Sequence, residues 1–128
     1  MTPPVILVVE DNERNRKLVR DVLGFAGFTV IEATTAEDGV ALAVERSPDL
    51  VLMDLQLPGM DGMGALRRLR ETPATASLPV VAVTAFAMKD DRERVLSAGF
   101  DGYLEKPISV RALPDQVRAF IGSKEVAE

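Results

Sequence analysis

The amino-acid sequence predicts an α/β fold, a doubly wound parallel sheet of five strands with helices on both faces. Short apolar runs at residues 5–9 and 50–53 lack polar alternation, which is typical of strands buried on both faces. Segments with apolar residues at helical spacing separate these runs. Such regular alternation of strands and helices favours a mostly parallel sheet joined by right-handed crossovers.

Strands are predicted where an apolar run reaches a polar or turn-forming residue. In chain order they span residues 5–9, 28–31, 50–53, 79–83 and 102–104. Glu10 and Asp11 stop the first strand, and Asn12 offers the side chain of a helix N-cap. The first helix then carries apolar residues at helical spacing: Leu18, Val19, Val22, Leu23 and Phe25.

The remaining helices are predicted over residues 36–46, 62–70, 90–98 and 110–121. In the second helix, we expect Val40, Ala43 and Val44 to face the core. Pro114 is compatible with the last helix only in its first turn. The polar segment 122–128 is expected to fray.

The composition predicts one domain over residues 1–128, with a core at about 5–121. A chain of 128 residues buries roughly two-thirds of its unfolded surface, enough to hold a core without staples. The sequence contains no Cys and no His, which excludes disulfides, Ser-His-Asp catalysis, and Cys- or His-ligated metals. Oxygen must therefore hold any metal, which indicates a hard ion such as magnesium.

The net charge and the hydropathy pattern argue against nucleic-acid-binding, secreted and membrane-spanning proteins. With 15 Lys and Arg against 20 Asp and Glu, the net charge is −5, which disfavours sequence-independent nucleic-acid binding. The chain has no signal-peptide pattern and no apolar run near the roughly 20 residues of a membrane span. We expect a cytoplasmic protein that binds neither nucleic acid nor membrane.

Polar residues follow the predicted strands at one edge of the sheet, where ligands bind in open parallel sheets. Glu10 and Asp11 follow the first strand, Asp54 the third, Thr84 the fourth and Lys106 the fifth. The second ends in Glu32-Ala33, which adds little. Clustered carboxylates repel unless a cation binds them. With magnesium bound, Asp54 can act as a nucleophile toward a phosphoryl group, and Lys106 and Thr84 can contact its oxygens.

Each of these residues also has an ordinary structural interpretation. Glu10-Asp11 and Thr84 can cap helices, Asp54 can be a turn residue, and Lys106-Pro107 can be a solvated turn. Their common position, each at the same end of its own strand, favours a shared site.

The chain resembles the receiver domain of bacterial two-component response regulators, most closely the single-domain, cell-division type or the receiver modules of hybrid kinases. The resemblance covers about residues 5–121. The matching motifs are Glu10-Asp11-Asn12, Asp54 with Pro58-Gly59 and Asp61-Gly62, Thr84-Ala85, and Lys106-Pro107. The resemblance implies a flavodoxin-like sheet of order 2-1-3-4-5.

The resemblance also implies residue roles. Asp54 accepts a phosphoryl group from a kinase phosphohistidine in a phosphorelay. The protein is then a phosphoacceptor, which assists its own phosphorylation and dephosphorylation without being an enzyme. Asp11, Asp54 and the backbone carbonyl of Gln56 coordinate Mg²⁺, and Glu10 reaches it mainly through water. Phosphoryl contacts and the conformational switch are assigned to a second set: Thr84, the backbone N–H groups of Gln56 and Ala85, Lys106, and Tyr103, which turns inward with Thr84.

Further expectations concern partners and lifetime. A sensor histidine kinase or histidine phosphotransferase docks on the first helix at Asn15, Arg16 and Leu18. Other proteins read the surface of the fourth helix, fifth strand and last helix, and the chain is a monomer or weak dimer. A cis bond before Pro107 points Lys106 back over the sheet edge. Because Gln56 and Phe86 offer no general base, the phosphorylated state is long-lived.

Three other functions fit the sequence less well. A magnesium-dependent aspartyl-phosphate phosphatase needs a second acid two residues after its nucleophile, where this chain has Gln56. A nucleotide-binding module needs a glycine-rich loop after the first strand, and Glu10-Asp11-Asn12 has no glycine. A receiver-like binding scaffold usually lacks one of the key groups, and none is missing.

Overall fold

The computed structural model describes residues 3–57, 59, 62–85 and 89–126, with side chains described up to residue 121. Within these residues the chain forms a parallel five-stranded sheet of order β2-β1-β3-β4-β5, as predicted. The strands are β1 (Val5–Val9), β2 (Thr29–Ala33), β3 (Leu50–Asp54), β4 (Val80–Thr84) and β5 (Gly102–Glu105). The α-helices are α1 (Glu13–Phe25), α2 (Ala36–Arg46), α3 (Gly62–Glu71), α4 (Lys89–Ala98) and α5 (Leu113–Val126).

The central strands are buried on both sides because helices cover both faces of the sheet. Successive side chains of a strand point to opposite faces. Leu7 and Val9 therefore pack in the core beneath α2, α3 and α4, while Ile6 and Val8 pack beneath α1 and α5. The continuous apolar runs of the sequence have this physical cause.

The helix ends follow the expected capping chemistry. The Asn12 side chain accepts the Asn15 N–H at 2.9 Å at the start of α1, and Thr35 Oγ1 accepts the Asp38 N–H at 3.1 Å at the start of α2. Gly27 follows α1 with φ +99°, a left-handed conformation that glycine adopts without steric cost.

Three details differ from the predictions. Val44, which we expected to face the core, is exposed, and Phe25 at the last turn of α1 is 97% exposed although its spacing is helical. The α5 helix begins at Leu113 rather than at residue 110, and it continues to Val126. It therefore includes most of the segment for which we expected fraying. Pro114 lies in its first turn, as its chemistry requires.

Gly62 allows α3 to start close to the end of β3. A Cβ at this position would lie 2.9 Å from the Asp54 carbonyl oxygen and 3.0 Å from the Leu55 Cα. A side chain there would have to displace the backbone that carries Asp54.

Arg70 and Asp101 form a brace at the amino edge of the sheet, far from the ends of the strands that carry Asp54 and Lys106. The Arg70 guanidinium donates to the carbonyl oxygens of Leu78 and Gly99 at 2.6 and 3.2 Å and to Asp101 Oδ2 at 3.0 Å. The same carboxylate oxygen accepts the Val80 N–H at 2.8 Å. One guanidinium therefore joins α3 to the turns that enter β4 and β5.

Candidate functional site

Three carboxylates meet at the carboxyl edge of the sheet, as the sequence predicts. Glu10 and Asp54 are 5% and 2% exposed, and Asp11 beside them is exposed. One carboxylate oxygen from each of the three lies within 4.8 Å of the others. They meet because β1 and β3 are adjacent and parallel, with Val9 paired to Met53.

Lys106 supplies a positive charge to this cluster. Its Nζ lies 3.2 Å from Glu10 Oε1 and 3.0 Å from Asp54 Oδ2. The Lys106 backbone N–H donates to the Thr84 carbonyl at 2.8 Å, which extends the pairing of β4 with β5. The Lys106–Pro107 peptide bond is cis, the isomer that we expected.

Both oxygens of Asp54 have partners. The Gln56 N–H donates to Oδ1 at 2.9 Å, and the Lys106 ammonium donates to Oδ2 at 3.0 Å. The Gln56 side chain is exposed. The carboxylate is therefore held in one orientation at the floor of the site.

The cluster carries more negative charge than Lys106 alone balances. Burial raises the pKa of Glu10 to about 7, and the hydrogen bond and charge of Asp54 add to the effect. Burial lowers the pKa of Lys106, but the hydrogen bond and charge of Asp54 outweigh it and raise that pKa overall. Near neutral pH the site holds either an extra proton on Glu10 or an additional cation.

The donor set fits magnesium. Mg²⁺ takes oxygen ligands at roughly 2.0–2.1 Å in octahedral geometry, which places ligand oxygens about 3–4 Å apart. Three carboxylate oxygens within 4.8 Å of one another are compatible with that spacing. The raised pKa of Glu10 is a second sign that a cation is favoured there.

Thr84 and Tyr103 lie on the other side of the site. Thr84 ends β4 and is 3% exposed, and a cavity of about 440 Å³ reaches it between α3 and α4. Tyr103 is half-buried on β5. Its hydroxyl accepts a hydrogen bond from Arg92 Nη1 at 2.9 Å, and the guanidinium lies 5.7 Å from the ring centre. No sequence signal selects Arg92, because α4 is rich in charge throughout.

A mostly apolar cavity of about 360 Å³ adjoins Asp54 between α1 and the segment after β5. Asn15 and Leu18 line it, together with Pro107 and Ile108. Arg16, which we grouped with Asn15 and Leu18 as partner-facing, does not line this cavity. Its guanidinium instead binds Glu32, with Nε 3.3 Å from Oε1, so Glu32 contributes to the site region although its position at the end of β2 suggested little.

Two residues with predicted site roles, Ala85 and Phe86, lie where the described part of the chain is interrupted. Ala85 is described and exposed. Phe86, which we assigned to control of lifetime, lies outside the described residues, as do Pro58 and Asp61 of the loop motif.

Comparison with known proteins identifies the class to which this fold and site belong. Residues 6–118 match the family model described as "Response regulator receiver domain". The chain is 40% identical over 120 residues to the polar-differentiation response regulator DivK of Brucella anthropi, covering 94% of this chain and 98% of that protein.

Solved structures agree with this match. A CheY-like receiver domain from Methanospirillum hungatei has a TM-score of 0.89 at 27% identity, covering 99% of this chain and 100% of that one. The receiver domain of a sensor histidine kinase from Pseudomonas aeruginosa, solved with magnesium coordinated in its active-site cleft, has a TM-score of 0.86 at 34% identity. It covers 94% of this chain and 99% of its own.

The protein is thus a phosphoryl-accepting signalling module of the α/β class. It belongs to the response regulator receiver domain family of two-component systems. Of the helices that the structure describes, none is long and apolar enough to cross a membrane.

Proposed function

We propose that Asp54 is the phosphoacceptor of this receiver domain. The observation that carries the assignment is the placement of one buried carboxylate against two further acids and one ammonium, with Lys106 Nζ 3.0 Å from Asp54 Oδ2. Asp54 lies at the centre of this group, between Glu10 on β1's side and Lys106 on β5's side. Lys106 and the Gln56 N–H hold one oxygen each of this buried carboxylate.

In the transfer, a carboxylate oxygen of Asp54 forms a bond to phosphorus. The bond between phosphorus and the imidazole nitrogen of the donor phosphohistidine breaks, and the imidazole leaves with the electron pair. Phosphoryl transfer needs mainly positioning and charge neutralisation. Lys106 balances the charge of the phosphoryl oxygens, Thr84 offers its hydroxyl, and the N–H groups of Gln56 and Ala85 are the further donors.

Receiver domains bind Mg²⁺ at an acidic pocket, and we assign that role here to Glu10, Asp11, Asp54 and the Gln56 carbonyl. When bound, the ion neutralises the carboxylates and the incoming phosphoryl oxygens. The side chains of Glu10 and Asp11 hold it beside Asp54, and Asn12 orients Glu10 because its N–H donates to Glu10 Oε2 at 3.2 Å.

Receiver domains exchange signals with histidine kinases and downstream target proteins. We assign the donor, a sensor histidine kinase or histidine phosphotransferase, to the cavity beside Asn15 and Leu18, because this apolar surface adjoins Asp54. The surface of α4, β5 and α5 is assigned to downstream proteins, since Tyr103 and Arg92 lie on it. The chain is assigned as a monomer or weak dimer, and as a phosphoacceptor rather than an enzyme.

The test is phosphorylation by acetyl phosphate in the presence of Mg²⁺, followed by intact-protein mass measurement. We expect one phosphoryl increment on the wild type and none on Asp54→Asn. Asp115→Asn, an exposed site on α5, is the matched control and keeps the increment. Labelling of Asp54→Asn at the wild-type level contradicts the assignment, and turnover of an added phosphomonoester indicates a phosphatase instead.

A further inference from the structure

Arg16 lies across the loop that carries Glu10 and Asp11. Its Nη1 donates to the backbone carbonyl oxygen of Glu10 at 3.1 Å, and its Nε lies 3.3 Å from Glu32 Oε1. The side chain is only 19% exposed. The guanidinium therefore joins three elements: helix α1, the β1–α1 loop and the end of β2.

The contact with Glu10 constrains the acid pair itself. The Glu10 carbonyl belongs to the peptide unit that joins Glu10 to Asp11, and a peptide unit is planar. Fixing the position of that oxygen therefore fixes the orientation of the peptide plane that leads into Asp11. The Glu10 N–H is held as well, by the Ala33 carbonyl at 3.0 Å, so both polar backbone groups of Glu10 have partners.

Glu32 determines what the guanidinium does to the electrostatics of the site. A free positive charge beside three carboxylates would oppose the binding of a divalent cation. Glu32 balances the charge of Arg16 at 3.3 Å, so Arg16 can orient the loop while repelling a cation less. Arg20 also binds Glu32, with Nη1 3.3 Å from Oε2, but its hydrogen bonds among the described residues go to Glu32 and Asp21 and not to the loop.

We propose that Arg16 is a positioning residue for magnesium, which orients the Glu10–Asp11 peptide and has its charge balanced by Glu32. The inference rests on the proposed function, because it concerns the metal that this function requires. It also changes the assignment of Arg16, which the sequence had placed among residues that face a partner.

The experiment measures Mg²⁺ affinity directly by amide NMR titration, following residues 10–12, without any phosphodonor. Residues that orient metal ligands typically change affinity about 10–100-fold when they are removed. We expect Arg16→Gln to weaken Mg²⁺ binding about tenfold. Glu32→Gln also weakens it, because the charge of Arg16 is then unbalanced. Arg16→Lys, which keeps the charge and one donor group, lies between the wild type and Arg16→Gln.

Arg20→Gln is the matched control. It removes the same charge and a contact to the same Glu32, but it leaves the bond to the Glu10 carbonyl in place. If Arg16 acted through charge alone, both Gln variants would bind Mg²⁺ as tightly as the wild type or more tightly. That result overturns the inference, as does an equal loss in Arg20→Gln and Arg16→Gln.

The outcomes separate this inference from the proposed function. If the wild type binds Mg²⁺ and is phosphorylated while Arg16→Gln binds equally well, only the role of Arg16 fails. If the wild type neither binds Mg²⁺ nor is phosphorylated, the proposed function fails. Thermal unfolding of each variant, measured in parallel, sets a temperature at which all of them are folded during the titration.

Discussion

Each of the two edges of the sheet carries a charged side chain with several partners. The two arrangements differ in how far positive and negative charges balance. At the amino edge, Arg70 meets a single carboxylate, Asp101, and its other N–H groups reach backbone carbonyls. At the carboxyl edge, Lys106 meets two buried carboxylates, Glu10 and Asp54. The first arrangement pairs one positive charge with one negative charge, whereas the second places two carboxylates against one ammonium and leaves an excess of negative charge.

This difference separates a structural ion pair from a functional one. The single negative charge of Asp101 is balanced by Arg70, and its Oδ2 accepts from both the Arg70 guanidinium and the Val80 N–H, so no excess charge favours a further cation there. Burial, and then the hydrogen bond and charge of Asp54, raise the pKa of Glu10 to about 7, so a proton or a cation relieves the excess negative charge at the carboxyl edge. Perturbed titration of this kind is typical of functional sites.

The largest effect on stability is expected at the amino edge. Arg70→Met leaves the carbonyls of Leu78 and Gly99 and the Asp101 carboxylate without their partner. Four hydrogen bonds of Arg70 are lost, and at about 0.5–1.5 kcal/mol each we expect a loss of about 3 kcal/mol in the free energy of unfolding. Urea denaturation measures it, with Arg67→Met, an exposed arginine of the same helix, as control. Equal losses in the two variants would show that the brace contributes nothing specific.

Magnesium should stabilise the carboxyl edge by a similar amount. A ligand at 100 times its dissociation constant stabilises the folded state by about 2.7 kcal/mol. We expect this gain in the wild type and in Arg70→Met, and its loss after chelation. Asp11→Asn should reduce the gain, because one of the three carboxylates is lost. Thermal unfolding with and without Mg²⁺ measures it, and the same gain in Asp11→Asn would exclude Asp11 as a ligand.

The carboxyl edge should also make stability depend on pH when no metal is bound. The pKa of Glu10 is about 7 in the folded protein, against 4.5 for an unperturbed glutamate. Between these pH values the folded state therefore binds more protons than the unfolded state. Stability therefore falls as pH rises, by about 2 kcal/mol between pH 5.5 and pH 8 from this group. Denaturation of wild type and Glu10→Gln in chelator tests it: the contribution is absent in the variant. A wild-type curve that matches the variant across this range refutes the raised pKa.

The smallest effect concerns Tyr103, which lies between the two edges on β5. Arg92→Gln removes a hydrogen bond and a cation–π contact, both weak at an exposed position, so we expect little change in stability. Because the sequence has one Tyr and no Trp, intrinsic fluorescence reports Tyr103 alone. We expect Arg92→Gln to change that emission, and Arg94→Gln, the same substitution on the same helix, to leave it unchanged. Identical spectra for both variants would show that Arg92 does not hold the Tyr103 hydroxyl in solution.

The sequence by itself determined the alternation of strands and helices. It also determined that four side chains meet at one edge of the sheet: Glu10, Asp11, Asp54 and Lys106. The resemblance to receiver domains supplied the strand order. The alternation and the meeting depend on local information, because apolar runs identify buried strands and parallel strands bring their carboxyl ends to one edge. Helix details were less predictable. The expected inward position of Val44 was wrong, because helical spacing does not determine how wide the covered face of a helix is.

The tertiary structure alone decided which charged side chains pair. Arg16 with Glu32, Arg70 with Asp101 and Arg92 with Tyr103 each join different elements of the fold. Long charged side chains occur throughout the exposed helix faces with no period that distinguishes a paired residue from a solvated one. Their partners depend on how closely the packed helices and turns bring the side-chain ends together, a distance that appears only once the chain is folded.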